Sequence, residues 1–246
     1  MNVNMKWKKR FLALVTIGLA MIFAAVSIAA VDSSAKNPLL EIDPDNFVNE
    51  VNNPYFPLPP GTTFIYRGET EGVATRDETY VTYDTKVILG VTTTVVYHLS
   101  YEDGVLVEET FDWFAQDVDG NVWYFGEDTK ELDENGNVIS TEGSWEAGVD
   151  GAQAGIIMLA DPKKGDRYQQ ELAPGVAEDM AQVLGFEESL CVRYGCFEHV
   201  LVTKEWSPLE KGVVEHKYYA KGVGFIFGVM VKGGEEQTEL VRVRRR

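Results

Sequence analysis

From Thr62 onward the chain alternates apolar and polar residues in short runs, and turns rich in Gly, Asp and Asn separate those runs. Alternation of period two puts one face of a run indoors and the other in water, which is the pattern of a β-strand. The pattern predicts strands over 62–67, 78–89, 91–100, 105–116, 122–125, 165–172, 186–192, 197–206, 213–220, 222–231 and 238–243. Glu102-Asp103-Gly104, Asp117-Val118-Asp119-Gly120-Asn121 and Asp133-Glu134-Asn135-Gly136-Asn137 sit between runs. Glycine beside Asp or Asn takes positive φ at little cost, so these are hairpin turns.

One segment has helical spacing. In Pro174–Leu184 the residues Val176, Met180, Val183 and Leu184 fall on one helical face, and Gly185 ends the run. Gly143–Asp161, with its glycines and alanines around Trp145, reads as an irregular loop over one end of the sheet. The expected fold is therefore all-β and mainly antiparallel. It is a large curled sheet, a half-barrel or a barrel, with one short helix.

The N-terminus follows different rules. Met1–Arg10 holds Lys6, Lys8, Lys9 and Arg10 and no acid, and Phe11–Ala30 is an uncharged apolar run of 20 residues. Small residues follow, with Ser27-Ile28-Ala29 and Ser33-Ser34-Ala35 as cleavage candidates. This is the layout of a secretory signal. About 20 apolar residues also span a bilayer, so an uncleaved anchor is the alternative. Either way, later residues lie outside the cytoplasm, secreted or anchored, and membrane contact is confined to this segment. No Cys follows the run, which argues against a lipid anchor. The domain plan is then a signal or anchor over 1–35, a linker over 36–53 and one β-rich domain over 54–246. The proline-rich stretch Pro54–Gly61 runs extended into that domain.

Charge narrows the partners. After position 10 the chain has 18 Lys and Arg against 39 Asp and Glu, a balance of −21. Such a surface repels phosphate backbones, so nucleic acid is not an expected partner, and it attracts cations. Cys191 and Cys196 bracket Val-Arg-Tyr-Gly and are expected to form a disulfide in an oxidising compartment.

The candidate chemistry gathers on Thr110–Asp128, an aromatic hairpin seeded with acids. Its candidate ligand-binding residues are Asp112, Trp113, Gln116, Trp123, Tyr124 and Glu127. Asp112 and Gln116 share strand parity with Phe114. If that side is indoors, a carboxylate among aromatics needs a partner. If it is outdoors, it is a solvated acid. The aromatics serve either as core or as a platform for a sugar or an apolar ligand.

Asp112, Glu171, Glu205, His199 and His216 are the residues that would have to converge to bind a divalent cation, the one cofactor considered. No HxH, HExxH or HxxxH spacing is present. The acidic turns also place glycine wrongly for an EF-hand, which needs it at the sixth position. There is no Gly-x-Ser-x-Gly elbow and no phosphate loop between a strand and a helix, so no residue is assigned a catalytic role.

Three stretches carry a resemblance: Asp112–Asp117, Gly120–Glu127 and Glu215–Ala220. Together they resemble a set of exported microbial β-rich proteins of unassigned function, over about Asn53 to Gly224. The resemblance implies export and a β-rich fold and assigns no chemistry. The reading is an exported or cell-surface, non-catalytic binding module for a small apolar, carbohydrate-like or cationic ligand. The alternative is a metal-dependent or carboxylate-based hydrolase using Asp112, Glu127, Glu171 or Glu205 with His199 or His216.

Overall fold

The computed structural model describes residues 42–245. The predicted signal or anchor, and the linker as far as residue 41, lie outside them. The described chain begins with three short strands, β1 (Phe47–Val48), β2 (Asn52–Asn53) and β3 (Phe56–Pro57). Long strands follow: β4 (Thr62–Thr70), β5 (Val73–Ile88), β6 (Val91–Glu102), β7 (Val105–Asp117) and β8 (Val122–Leu132). Shorter ones come next: β9 (Val138–Ser140), β10 (Trp145–Glu146), β11 (Gln153–Met158), β12 (Arg167–Gln169) and β13 (Glu171–Leu172). The last five are β14 (Met180–Val192), β15 (Gly195–Trp206), β16 (Val214–Ala220), β17 (Gly224–Lys232) and β18 (Glu236–Arg245).

All pairings are antiparallel. The main sheet runs β12-β14-β15-β16-β17-β18-β4-β5-β6-β7-β8-β11-β13. Its two end strands, β12 and β13, are separated in sequence by Gln170 alone, so the sheet curls almost shut into a barrel. Gly155 on β11 makes the closure possible. A Cβ at that position would lie 2.2 Å from the Gln170 carbonyl oxygen, so only glycine lets the backbones meet. Val81, Val122, Phe125, Met158, Val200, Leu201, Ile226 and Leu240 fill the core.

Two predicted elements change. Among the described residues the only helical turn is the 3-10 turn Pro44–Asn46, and the expected helix over 174–184 is absent. Residues 180–184 instead open β14, where Ala181 and Val183 are buried while Met180, Gln182 and Leu184 are only partly so. Pairing with β15 across Met180–Trp206 and Val183–Thr203 selects this period-two pattern over the helical one. The segment 143–161 likewise holds β10 and β11, both paired to β8, where an irregular loop was expected.

The predicted linker also acquires structure beyond residue 41. β1 pairs with the end of β7, matching Phe47 to Asp117 and Val48 to Gln116. Val51, Asn53, Tyr55 and Leu58 are buried. Asn53 donates from Nδ2 to the carbonyls of Gly120 (2.8 Å) and Leu159 (3.0 Å). Residues 47–58 therefore form a strap fastened across the barrel.

Candidate functional site

A cavity of about 90 Å³ lies beneath the strap. Phe56, Pro57 and Leu58 of the strap line it, with Phe64, Phe114 and Phe225 from the barrel wall. His98, Asp112 and Lys217 bring acid–base groups to it, and Tyr66, Thr79 and Tyr219 also line it. One water needs roughly 10–15 Å³ measured in this way, so the space suits a few waters or a small organic group. A larger occupant requires the strap to move.

Gln116 clasps the strap. It accepts from the Asn52 backbone N–H through Oε1 (2.9 Å) and donates from Nε2 to Asn52 Oδ1 (2.9 Å). At the adjoining turn Asp117 accepts from the Asn121 amide and from Trp123 Nε1, at 2.8 Å each. These acidic turn positions hold the hairpin in shape, as turn chemistry alone requires.

Asp112 points indoors and is only 3 % exposed. The Tyr124 hydroxyl donates to its Oδ1 at 2.6 Å, and Tyr124 is stacked on Phe114 with ring centres 4.7 Å apart. Burial pushes the Asp112 carboxyl up to about 6, against the opposing pull of His98 and the Tyr124 hydroxyl. Glu127 stands opposite Asp112 across the β7–β8 ladder. Burial, then the carboxylates of Glu171 and Asp112, hold its pKa well above the usual range.

These residues belong to a longer interior row. Asp77 accepts from Ser100 Oγ at 2.9 Å and lies 3.7 Å from His98 Nε2. Glu171, buried on β13, is raised by burial and by Asp179. Asp179 itself is raised to about 7 by burial, with Lys217 opposing. Lys217 Nζ lies 2.8 Å from Glu205 and 3.7 Å from Glu215. Glu205 also accepts from the hydroxyls of Thr203 (2.7 Å) and Tyr219 (3.1 Å). Burial alone would lower Lys217, but Glu205 and Glu215 outweigh it and the net shift is upward.

The row thus holds seven carboxylates, from Asp77, Asp112, Glu127, Glu171, Asp179, Glu205 and Glu215, against one lysine and one histidine. One oxygen each of Glu127, Glu171 and Asp179 is buried with no hydrogen-bond partner among the described residues. Burial at such a density is compatible with folding when some of the acids stay protonated.

The predicted site residues therefore divide. Asp112, Tyr124 and Glu127 meet indoors, and Asp112 lines the cavity. Gln116 serves the strap. Trp113 takes Lys86 Nζ over its ring at 3.3 Å, and Trp123 makes a T-shaped contact with Phe47. Of the proposed metal set, Asp112, Glu171 and Glu205 are buried in the row, His216 is half-buried and His199 is exposed, stacked on Phe186. Among the described residues no group of three or more His, Cys, Asp or Glu is placed to hold a metal ion. Sequence reasoning missed Asp77, His98 and Lys217 as partners of the row. The available signal was the parity Glu215-Lys217-Tyr219, which places a lysine between an acid and an aromatic on one strand face.

No family model matches the chain, and no curated protein matches it. Two solved structures are similar in outline. One, provisionally described as an exported protein with a YmcC-like fold from Bacteroides fragilis NCTC 9343, is 13 % identical with a TM-score of 0.46. The match covers 78 % of this chain and 99 % of that one. The other, provisionally described as a lipoprotein from Parabacteroides distasonis ATCC 8503, is 11 % identical with a TM-score of 0.38. It covers 77 % of this chain and 98 % of its own. Identities this low carry nothing about the chemistry of the interior.

Cys191 and Cys196 are joined by a disulfide and are matched across the β14–β15 hairpin.

Proposed function

We propose that this protein is an exported, non-catalytic binding module. Its ligand is a small amphiphile with an apolar body and a hydrogen-bond-donating or cationic end. The observation that carries the reading is the strap-covered cavity, walled mainly by aromatic and aliphatic side chains and carrying Asp112 within it. Phe56, Phe64, Phe114 and Phe225 suit the apolar body, and Asp112 is the acceptor for the polar end. The surplus of acid behind Asp112 favours a donor or a cation over an anion. Export is supported by the basic N-terminus, the apolar run that follows it and the Cys191–Cys196 bridge.

The test is native mass spectrometry with elemental analysis, on protein recovered from an exporting host without chelator. The reading expects one organic molecule per chain and its loss in Asp112→Asn. An empty chain whose Phe56→Trp fluorescence is unmoved by alkylammonium amphiphiles overturns it. A carboxylate-based hydrolase is the second reading, favoured by one observation: Asp112, raised to about 6, borders the cavity, where a protonated carboxyl is positioned to act as a general acid. Turnover of ester or glycoside substrates that Asp112→Asn abolishes would favour it.

A further inference from the structure

Outside the barrel, and apart from the interior cavity, a groove of about 470 Å³ brings three lysines together on an acidic protein. Lys163, Lys164, Lys221 and His199 line it, together with Tyr55 and Phe186. One acid, Asp161, is also in the lining, and it is held by Lys163 at 3.1 Å. Lys164 and Lys221 form no ion pair among the described residues.

The groove is a built feature. Asp166 accepts from the Lys163 amide (2.8 Å), and the Gly165 N–H bonds the Val183 carbonyl (2.9 Å), which fixes the turn that presents Lys163 and Lys164. The Gly222 N–H bonds the Pro54 carbonyl (2.7 Å), which fixes the turn that presents Lys221 against the strap. His199 has φ 53°, a left-handed backbone that a non-glycine residue rarely adopts. Its ring lies flat on Phe186 at 4.3 Å and 5°. Strained residues of this kind concentrate at binding sites. Here the imidazole lies on an exposed aromatic shelf in the groove that Lys163, Lys164 and Lys221 also line.

We propose that this groove binds a phosphate-bearing anion. Lys164 and Lys221, which form no ion pair among the described residues, and Lys163, shared with Asp161, offer several separate ammonium donors, which suit the several oxygens of a phosphate. The shelf of Phe186 and His199 supplies an apolar bed for an organic group attached to the phosphate. Against a chain balance of −17, long-range steering is unfavourable, so binding depends on these local cations and is screened by salt.

The test is calorimetric titration of the exported protein with sodium tripolyphosphate at low ionic strength, run beside co-sedimentation with phosphatidylglycerol and with phosphatidylcholine vesicles. We expect saturable 1:1 binding of tripolyphosphate, weakened at least tenfold by Lys164→Ala with Lys221→Ala and weakened by added salt. Lys211→Ala, in the turn that precedes β16 and outside the groove lining, should leave it unchanged, as should Asp112→Asn in the interior. Lysine-dependent binding to phosphatidylglycerol vesicles without binding to tripolyphosphate supports the same chemistry and identifies a lipid headgroup as its source. Binding to neither probe, or equal losses in the Lys211 variant, overturns the proposal. Because the interior variant is scored separately, failure here leaves the amphiphile reading standing, and the converse holds.

Discussion

Asp112 and Glu127 face each other across the β7–β8 ladder, each 3 % exposed, so two like-charged side chains meet inside the barrel wall. Like charges directly opposite one another in a sheet are destabilising when both are ionised. Burial raises both groups, and raises Glu171, Asp179 and Glu215 beside them. A carboxyl whose folded pKa is raised is fully tolerated below its unfolded value, and its cost to folding grows as the pH climbs from the unfolded to the folded value and is constant above it. The window therefore runs from about pH 4, the ordinary carboxyl range, to about 7, where Asp179 and Glu215 titrate. His98 acts in the same direction. Burial lowers it, but Asp77 and the neighbouring acids raise it overall, so its stabilising charge is lost as pH rises. The protein is expected to melt at a higher temperature at pH 5 than at pH 8. Calorimetry across that range checks it, and a flat or rising profile would refute the protonated interior. Asp112→Asn should raise the melting temperature at pH 8 and change it little at pH 5.

Lys217 makes the opposite contribution. It is the one lysine in the row, 12 % exposed, and it pairs with Glu205 and Glu215. Removing one partner of a buried pair leaves an uncompensated charge, at a cost of about 3–5 kcal/mol. Lys217→Met is expected to lose stability of that order in urea unfolding at pH 8. At pH 5 the loss should shrink, because Glu215, raised to about 7, is then protonated. An equal loss at both pH values would mean that Lys217 acts through packing of its stem.

The strands were legible in the sequence because each long run alternates, and alternation is local information. Residues 180–184 were not, because Val176, Met180, Val183 and Leu184 satisfy helical spacing as well, and only pairing with Thr203–Trp206 of β15 decides the matter. The interior row was hidden for a related reason. On β16 the face Val214-His216-Tyr218 looks more like core than the face Glu215-Lys217-Tyr219. The latter turns inward because Glu205 and Glu215, Thr203 and Lys217, and Leu201 and Tyr219 are cross-strand neighbours on β15 and β16. Asp77 and His98 meet through another pairing of distant residues, with Asp77 matched to Ser100 and Thr79 to His98. Register is set by the whole barrel, so it could not be read from one strand.

The disulfide contributes little beyond the hairpin it closes. Cys191 and Cys196 are already matched across β14 and β15. With so few residues enclosed, the loop entropy removed from the unfolded chain is worth about 2 kcal/mol. Cys191→Ser with Cys196→Ser should lower stability by no more than that and leave the fold intact, with near-ultraviolet circular dichroism as the check. Collapse of the fold would show that the bridge organises far more than its own turn. Two free thiols in the exported wild-type protein would contradict the bridge itself.

The strap offers the most direct control over the cavity. Two hydrogen bonds join Gln116 to Asn52, and two more join Asn53 to Gly120 and Leu159. A typical hydrogen bond contributes about 1 kcal/mol net. Gln116→Ala is therefore expected to lose about 1–2 kcal/mol of strap closure while β7 keeps its pairing with β6 and β8. Phe56, Pro57 and Leu58 then separate more often from Phe114 and the rest of the wall, and the buried amides there become exchangeable. Hydrogen exchange should rise at Asn52–Leu58 and stay unchanged in β14 and β15, which lie away from the clasp in the sheet order. If the strap is the route into the cavity, the same variant releases an amphiphile faster, with affinity falling through the off-rate. Faster exchange throughout the barrel would instead make Gln116 a support of the whole fold.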